Sequence, residues 1–574
     1  MANLEIAKIF YEIADILELK NIEWKPRAYR KAAQSLESLD RDVEDIYKEE
    51  GIKGLLEIPG VGDAIANKIV EYLETKGIKE HKELKASLPK GLYDLMNIMG
   101  LGPKKIKVLY KKLNIKNLKD LEKAIKNHRI SGLENFGEKS EDNIKKAIEF
   151  SKVNNKRILL GQALPIAENI VNELKKLKEV NKINIGGSLR RMQETIGDLD
   201  FLVTSSNPKK VIDAFTRLPE VSRVLAKGET KSTVILKQGI QADIRVLEDK
   251  NYAGALQYFT GNKEHNITMR SLAVKKGYKL SEYGLFYKKD NKMISLKDER
   301  ELYNKLGMQY IEPELRQNNN EVEYALKNKL PKLVNYDDIK GDLHVHTKYS
   351  DGKNTILEMV NGARELNYEY IAITDHSKAR AIANGLNEDR ILEQIKEIKK
   401  IQSKFDDIRI FTGMEVDIKS NGELDLDEDV LKKLDIVIGS IHSSFKQNKE
   451  ETTKRLKKAF STGLVKIFGH PTTRVINYRP EVQFDFKTIF SLCKENNMAL
   501  EINSFPERLD LRDVYVRDAI NNNVKIAINT DAHHTSHFRF IKYGIAQARR
   551  GWCTSKDIVN TYDLKDFKKF FKLK

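Results

Sequence analysis

Asp342-Leu343-His344-Val345-His346 decides how the second half of this 574-residue chain is read. Leu343 and Val345 are apolar steps of a short strand, so His344 and His346 project to its other side, next to one another. Two imidazoles so placed suit one metal ion. Working outward, similar residues recur where short apolar runs stop. Asp351 follows at once. Asp375-His376 follows the run 370–374, Glu415 the run 408–413, His442 the run 436–439 and His470 the run 465–469. Asp531-Ala532-His533 follows the run 526–529, and 499–502 is one more such run. The runs alternate with helical stretches, which implies parallel βα units and a closed barrel. Strand ends converge on one face of such a barrel, so residues distant in sequence can meet there. The nine ligands are His344, His346, Asp351, His376, Glu415, His442, His470, Asp531 and His533. They are too many for one ion and suit two or three. Mixed imidazole and carboxylate ligation fits Mn²⁺, Zn²⁺ or Fe²⁺ better than Mg²⁺. His534 and His537 have no place in the pattern.

Composition bounds the rest. Of 11 histidines, only His81, His128 and His265 precede residue 340, which marks the C-terminal part as a separate module. The length predicts three to four domains. A net charge of +17 attracts phosphate polymers. A lysine-rich, solvated surface would give the same charge, so charge alone does not choose. No apolar run approaches the roughly 18 residues of a membrane span. Met1-Ala2-Asn3-Leu4-Glu5 is not the start of a secretory signal. The two cysteines, Cys493 and Cys553, exclude a disulfide framework and point to a reducing cytoplasm.

The front of the chain reads differently. Residues 1–150 are helical in pattern, with Ile6, Ile9, Phe10, Ile13, Ile16 and Leu17 at helical spacing. Pro59-Gly60-Val61-Gly62 is a glycine turn between helices, leaving amides at a helix N-terminus for a DNA phosphate. Gly100-Leu101-Gly102-Pro103-Lys104 repeats it, and residues 130–137 form a weaker third copy. Two good copies about 40 residues apart favour helix-hairpin-helix DNA binding over ordinary helical hairpins.

Residues 151–250 turn to mixed helices and strands. Gly187-Ser188 lies between a strand and a helix, where amides and a hydroxyl can hold a triphosphate beside Arg190 and Arg191. Asp198 and Asp200, two apart on a strand, face one side and repel unless cations bridge them. Asp243 on a later strand makes a third carboxylate. Three carboxylates and substrate phosphates can hold two Mg²⁺, or Mn²⁺, for in-line displacement. An isolated Asp-x-Asp is usually a turn or a cap; the ordered set is far more specific.

These stretches resemble the family X DNA polymerases of the polymerase beta type. The likeness covers residues 1–310 through Ala28-Tyr29-Arg30-Lys31-Ala32-Ala33, Pro59-Gly60-Val61-Gly62, Gly187-Ser188, Gly197-Asp198-Leu199-Asp200, Asp243-Ile244-Arg245 and Tyr258-Phe259-Thr260-Gly261. It implies that Asp198 and Asp200 hold both Mg²⁺ and that Asp243 binds the catalytic one. It implies that Ser188 and Arg191 meet the triphosphate. Tyr258, Phe259 and Gly261 then line the sugar pocket, and Asn266 and Arg270 face the nascent base pair and template. The family's lyase lysine falls on Lys68, with Lys25, Tyr29 and Arg30 around its phosphate pocket; Asn67 and Ala64 depart from the family pattern. From about residue 340 the chain resembles the PHP (polymerase and histidinol phosphatase) domain. That likeness implies a distorted (βα)7 barrel with 3′-5′ exonuclease, and further abasic-endonuclease or 3′-phosphatase, activity. Arg474 and Arg508 are candidates for holding its substrate phosphate.

The expected architecture is multidomain: a helical lyase-like region over 1–85 and a fingers-like helical region over 86–150, each with a helix-hairpin-helix. An α+β nucleotidyltransferase palm follows over 151–250, then a thumb over 251–315, a polar linker over 316–337 and the PHP barrel over 338–574. The expected function is gap-filling DNA synthesis on gapped or nicked DNA with dNTPs, by a monomer and away from membranes. The rivals are a phosphatase of small phosphomonoesters with a vestigial DNA-binding front half, and a non-catalytic DNA-binding scaffold.

Overall fold

In a computed structural model, the chain is described from Ala2 to Leu573, apart from residues 21, 38–41, 76, 98–100, 134–135, 138–139, 143, 146–147, 149–156 and 381–382. It forms two compact units. One comprises Met1–Arg157, Leu177–Asn184 and Asp200–Gly307, the other Ile158–Lys176, Ile185–Leu199 and Met308–Lys574.

The first unit begins with α1 (Ala2–Leu19), α2 (Lys25–Glu37), α3 (Val43–Leu56) and α4 (Asp63–Thr75). They close over Ile6, Phe10, Ile13, Leu36, Leu55 and Ile69, the apolar positions that recur at helical spacing. Gly60 joins α3 to α4 with φ +86, a left-handed conformation that favours glycine. A second helical core holds Leu92, Ile106, Leu109, Leu121 and Ile130. There Gly102 precedes α5 (Pro103–Leu113), with Pro103 at its first position. Gly100 lies outside the described residues. In the third copy, Glu141 accepts from the amides of Ile130 at 2.9 Å and Ser131 at 2.8 Å.

A five-stranded sheet follows. Its strands are β1 (Val180–Ile185), β2 (Asp198–Ser205), β3 (Val221–Lys227), β4 (Lys231–Leu236) and β5 (Gln241–Leu247), in the order β1-β2-β5-β4-β3. Along β5, Ala242, Ile244 and Val246 are buried while Gln241, Asp243 and Arg245 stay half-exposed, the alternation of a sheet covered on one face. The helices α6 (Tyr252–Thr260) and α7 (Lys263–Lys275) come next, followed by a small antiparallel sheet.

The second unit is built on seven parallel strands: β6 (Gly341–Val345), β7 (Tyr370–Ile373), β8 (Arg409–Asp417), β9 (Ile436–Ser440), β10 (Ile467–Phe468), β11 (Ala499–Asn503) and β12 (Ile526–Asn529). They pair in sequence order. A bridge between Val345 and Ala532, with the His346 amide donating to the Ala532 carbonyl at 2.9 Å, joins the first strand to the segment after the last. The barrel is thereby nearly closed. Its interior is filled by Leu343, Tyr370, Phe411, Ile436, Ile467 and Ala499. The helix α8 (Leu564–Phe571) sets Phe567 against Tyr370 and Phe411 and so covers the end where the strands begin.

Two expected boundaries change. Residues 316–337 are no linker. Arg316 is fully buried, residues Glu321–Leu326 form a helix, and Val334 donates to the Cys553 carbonyl at 3.0 Å. The palm is not one packed piece over 151–250 either, because residues 158–176 and 185–199 cluster with the barrel. The ion pair of Glu194 with Arg474 is one reason.

Candidate active sites

In the polymerase-like region, Asp200 and Asp243 lie on the neighbouring strands β2 and β5, and Asp198 stands two residues before Asp200 on the same strand. Thr233 Oγ1 donates to Asp243 at 2.5 Å and the Gln241 side chain donates to its other oxygen, which fixes the carboxylate's orientation. Ser188 sits in the short helix Gly187–Arg190, after Gly187 at φ +60. Its Oγ is buried with no hydrogen-bond partner among the described residues, as expected of a group that waits for a ligand. Leu189 and Arg190 complete that turn, and Arg191 is half-buried behind it. Tyr258 and Phe259 end α6, edge to face at 5.1 Å, with the Arg245 guanidinium 4.4 Å above the Phe259 ring. Gly261, at φ +66, lets the chain leave the helix. Asn266 is held by Gln257 at 2.9 Å and donates to the Tyr258 carbonyl at 2.7 Å; Arg270 beyond it is exposed. Tyr258, Phe259, Asn266 and Arg270, the residues expected to line the sugar pocket and to face the base pair, therefore form one connected set. Carboxylates on neighbouring strands, with Asp243 oriented, offer oxygen ligands of the kind that hard divalent cations take.

In the lyase-like region, Lys68 and Tyr29 do come together, but on Glu80. Lys68 Nζ lies 2.9 Å from its carboxylate and the Tyr29 hydroxyl donates to it at 2.8 Å. Lys25 acts on the same carboxylate electrostatically. Arg30 is turned to Asp15 and Glu18, both at 2.7 Å. Sequence reasoning missed Glu80, and it missed Trp24. That tryptophan is 76% exposed and lines a cavity of about 870 Å³ with Arg27, Lys104, Lys107, Lys111 and Lys112. A tryptophan in a basic stretch of a chain with only two was the available signal.

At the strand ends of the barrel all nine expected ligands meet. Three overlapping groups have ligand atoms within 4.8 Å of one another: His346, Asp351, His376 and His533; His344, His346 and Asp531; His376, Glu415 and His442. His470 joins through Glu415, at 2.9 Å. His346 and His376 are each shared by two of the groups; the His346 ring is stacked on His533 at 4.2 Å and lies 4.4 Å from His376. Burial, then the like-charged neighbours His533 and His376, push its pKa down to about 3, so the ring is neutral. Both of its nitrogens are buried without a hydrogen-bond partner among the described residues, as is Nε2 of His344. For His344, burial is outweighed by Glu501, Asp531 and Glu415, which hold it above its ordinary range. Clustered imidazole nitrogens and lowered carboxylates fit divalent ions, and three overlapping groups fit two or three of them.

The supporting residues were mostly not foreseen. Glu501 accepts from His344 Nδ1 at 2.7 Å and from the His470 amide at 2.6 Å, fully buried. Asp417 lies 3.3 Å from His442 Nδ1. A carboxylate behind a ligating imidazole fixes its tautomer and orientation. The signal for Glu501 was a charge inside the apolar run 499–502. Asp375 is no ligand. It gathers Thr347, Ser350 and Gln394 and so shapes the loop that delivers Asp351. Asp342 likewise binds the Thr530 amide and hydroxyl.

The two arginines part company. Arg474 is a correction: its guanidinium meets Glu194 at 2.6 and 3.0 Å and donates to the Arg508 carbonyl, so it is committed to protein groups rather than to a substrate phosphate. Arg508 keeps a buried Nη1 with no hydrogen-bond partner among the described residues and lies near enough to His470 to lower its pKa, after burial.

Five family models match successive stretches of the chain. Residues 1–78 match a helix-hairpin-helix domain and 92–149 a SAM-like helix-hairpin-helix tandem. Residues 162–273 match the DNA polymerase beta palm, 255–317 the DNA polymerase beta thumb and 342–505 the PHP domain. The DNA polymerase/3′-5′ exonuclease PolX of Bacillus subtilis (strain 168) is 37% identical over 575 residues, covering 100% of both chains. This chain belongs to the family X DNA polymerases with a C-terminal PHP domain. It is also 25% identical to DNA polymerase lambda of Rattus norvegicus over 54% of this chain and 56% of that one. A probable phosphatase of Thermoanaerobacter sp. (strain X514) is 29% identical over 41% of this chain and 94% of its own length. As a member of the family, the chain is a DNA nucleotidyltransferase and a metal-dependent phosphoesterase in one. Among the described residues, no helix is long and apolar enough to cross a membrane.

Proposed function

We propose that this chain fills short gaps in nicked or gapped DNA, as a monomer in a reducing cytoplasm, and that its barrel clears 3′ ends before extension. The observation that carries this reading is the meeting of nine ligand side chains at one barrel face, in a chain that also keeps Asp198, Asp200 and Asp243. Asp198, Asp200 and Asp243 would hold Mg²⁺ or Mn²⁺ at the polymerase site. The barrel residues would hold two or three Mn²⁺, Zn²⁺ or Fe²⁺. Divalent ions at such sites neutralise phosphate charge and lower the pKa of the attacking group.

The chain's own residues do the rest. Thr233 and Gln241 aim the Asp243 carboxylate towards the primer 3′-hydroxyl. Ser188 and Arg191 take the triphosphate, Tyr258, Phe259 and Gly261 line the sugar pocket, and Asn266 and Arg270 face the base pair and template. In the barrel, Glu501 and Asp417 orient His344 and His442, and Arg508 offers a donor to the substrate phosphate. Gly60, Gly62, Gly100, Gly102 and Lys104 would hold DNA backbone without reading sequence. Because Glu80 occupies the Lys68 amine, Lys25, Tyr29 and Lys68 serve the 5′ end of a gap as binding groups rather than as a lyase. Both cysteines are free and buried, in keeping with a reducing setting.

Primer extension on a gapped duplex, run beside release of label from a 3′-labelled oligonucleotide, tests the proposal. Asp243→Ala should abolish extension while DNA affinity stays nearly intact, because phosphate contacts elsewhere dominate binding. Near-normal extension would remove the polymerase assignment. Much faster turnover of a small phosphomonoester than of the oligonucleotide would replace the end-clearing role with the metabolic-phosphatase rival.

A further inference from the structure

Beyond His470 the chain makes a tight hairpin that no ligand requires. Val475 and Arg479 pair across it, the amides donating at 3.0 and 2.8 Å, and Asn477 turns it at φ +63. The Ile476 amide donates to the Glu507 carbonyl at 2.8 Å and so fastens the hairpin to the loop that carries Arg508. Tyr478, at the tip, is 88% exposed, the most exposed of the large hydrophobic side chains among the described residues. Its neighbour Arg479 turns inward, Nε donating to the Thr473 carbonyl at 2.7 Å and the guanidinium stacked 4.3 Å over Phe445.

Arg479 is not alone. Burial, then the positive charge of Arg508, lower its pKa; Asp510 opposes them and Arg380 adds to them, so Arg508, Arg380 and one carboxylate all face this guanidinium. Arg508 Nη1 and Arg380 Nε are buried and have no hydrogen-bond partner among the described residues. Arg380 also lines a cavity of about 430 Å³ that opens beside the ligand His442. Vacant guanidinium donors beside a phosphoesterase centre suit phosphate oxygens, even with Asp510 and Asp417 nearby. A bare aromatic ring at the rim offers a stacking face that any base can use.

We propose that the hairpin 475–479 is a grip for the unpaired end of a nucleic-acid strand, in which Tyr478 stacks on a base while Arg479, Arg508 and Arg380 take successive phosphates. The proposal rests on the end-clearing role of the barrel and adds the residues that would hold the strand there, without sequence preference.

Two measurements on the full chain separate this proposal from that role. In the first, kcat/KM with Mn²⁺ is compared for a single-stranded 3′-labelled oligonucleotide and for bis(p-nitrophenyl) phosphate. Tyr478→Ala should lower the ratio of the two by about tenfold, mostly through KM, and Tyr478→Trp should restore it. An unchanged ratio, or an equal loss on both substrates, overturns the grip. In the second, Tyr478→Trp serves as a reporter. Oligo(dT) should quench its emission beyond the quench of the parent chain, and Arg479→Ala in the same background should weaken that quench. A quench without hydrolysis keeps the grip and removes the end-clearing role. Hydrolysis without a quench removes the grip and keeps the role.

Discussion

Glu501 is not one of the nine expected ligands, yet two of them are held by it, one through a ring nitrogen and one through a backbone amide. Glu501→Gln keeps the shape but takes away the negative charge behind His344. Loss of such an outer carboxylate typically costs about 10–100-fold in metal affinity. Competition of the full chain with a chelator should show a loss in that range, and an unaltered affinity would mean that Glu501 only fills space. Glu80 poses the opposite case, a carboxylate where a phosphate is expected. Glu80→Ala would release Lys68 and Tyr29 and add one net positive charge to the pocket. Partly exposed pairs contribute up to about 1 kcal/mol, so affinity for a 5′-phosphorylated gap should rise a few-fold over that for a 5′-hydroxyl gap. Equal affinities would place the 5′ end elsewhere.

At the scale of elements, Glu194 and Arg474 show how the segment 185–199 is bound to the barrel. The pair is nearly buried, with side-chain exposures of 17% and 8%, and Gln547 adds a third contact to the carboxylate at 2.9 Å. Removing one partner strands the other. Arg474→Ala should destabilise the barrel-containing unit by roughly 3–5 kcal/mol, and adding Glu194→Ala should cost much less than a second such loss. Thermal unfolding of the four members of this cycle measures the coupling, and additive losses would show that the two residues act separately. The strands themselves were legible in the sequence. Six apolar runs correspond to barrel strands within a few residues, because parallel strands buried on both faces need continuous apolar stretches. Residues 316–337 were not legible, since their polar composition hides a buried Arg316 that satisfies itself on the Ile311 carbonyl at 3.0 Å. The commitment of Arg474 was equally hidden, because its partner lies 280 residues away.

At the scale of the molecule, two sets of ligands serve two chemistries. His344→Ala with His346→Ala removes one of the two shared imidazoles of the barrel cluster and a neighbour of it. Release of label from a 3′-labelled oligonucleotide should be abolished while gapped-duplex extension is retained, and Asp243→Ala should do the reverse. Loss of both activities in either variant would show that the sites are not independent. The sequence by itself determined the βα rhythm, the helix-hairpin-helix turns, the three strand aspartates and which nine side chains meet at the barrel face. Each of these is written locally, in spacing or in residue type at the end of a run, and local backbone geometry converts it directly into position. Only the tertiary structure decided which carboxylates stand behind the imidazoles, that Glu80 fills the Lys68 pocket, that Arg474 is tied to Glu194 while Arg508 keeps a vacant donor, and that three arginines crowd the centre beside an exposed Tyr478. Those outcomes depend on pairings across tens to hundreds of residues, where burial and charge select the partner and no periodicity records the choice.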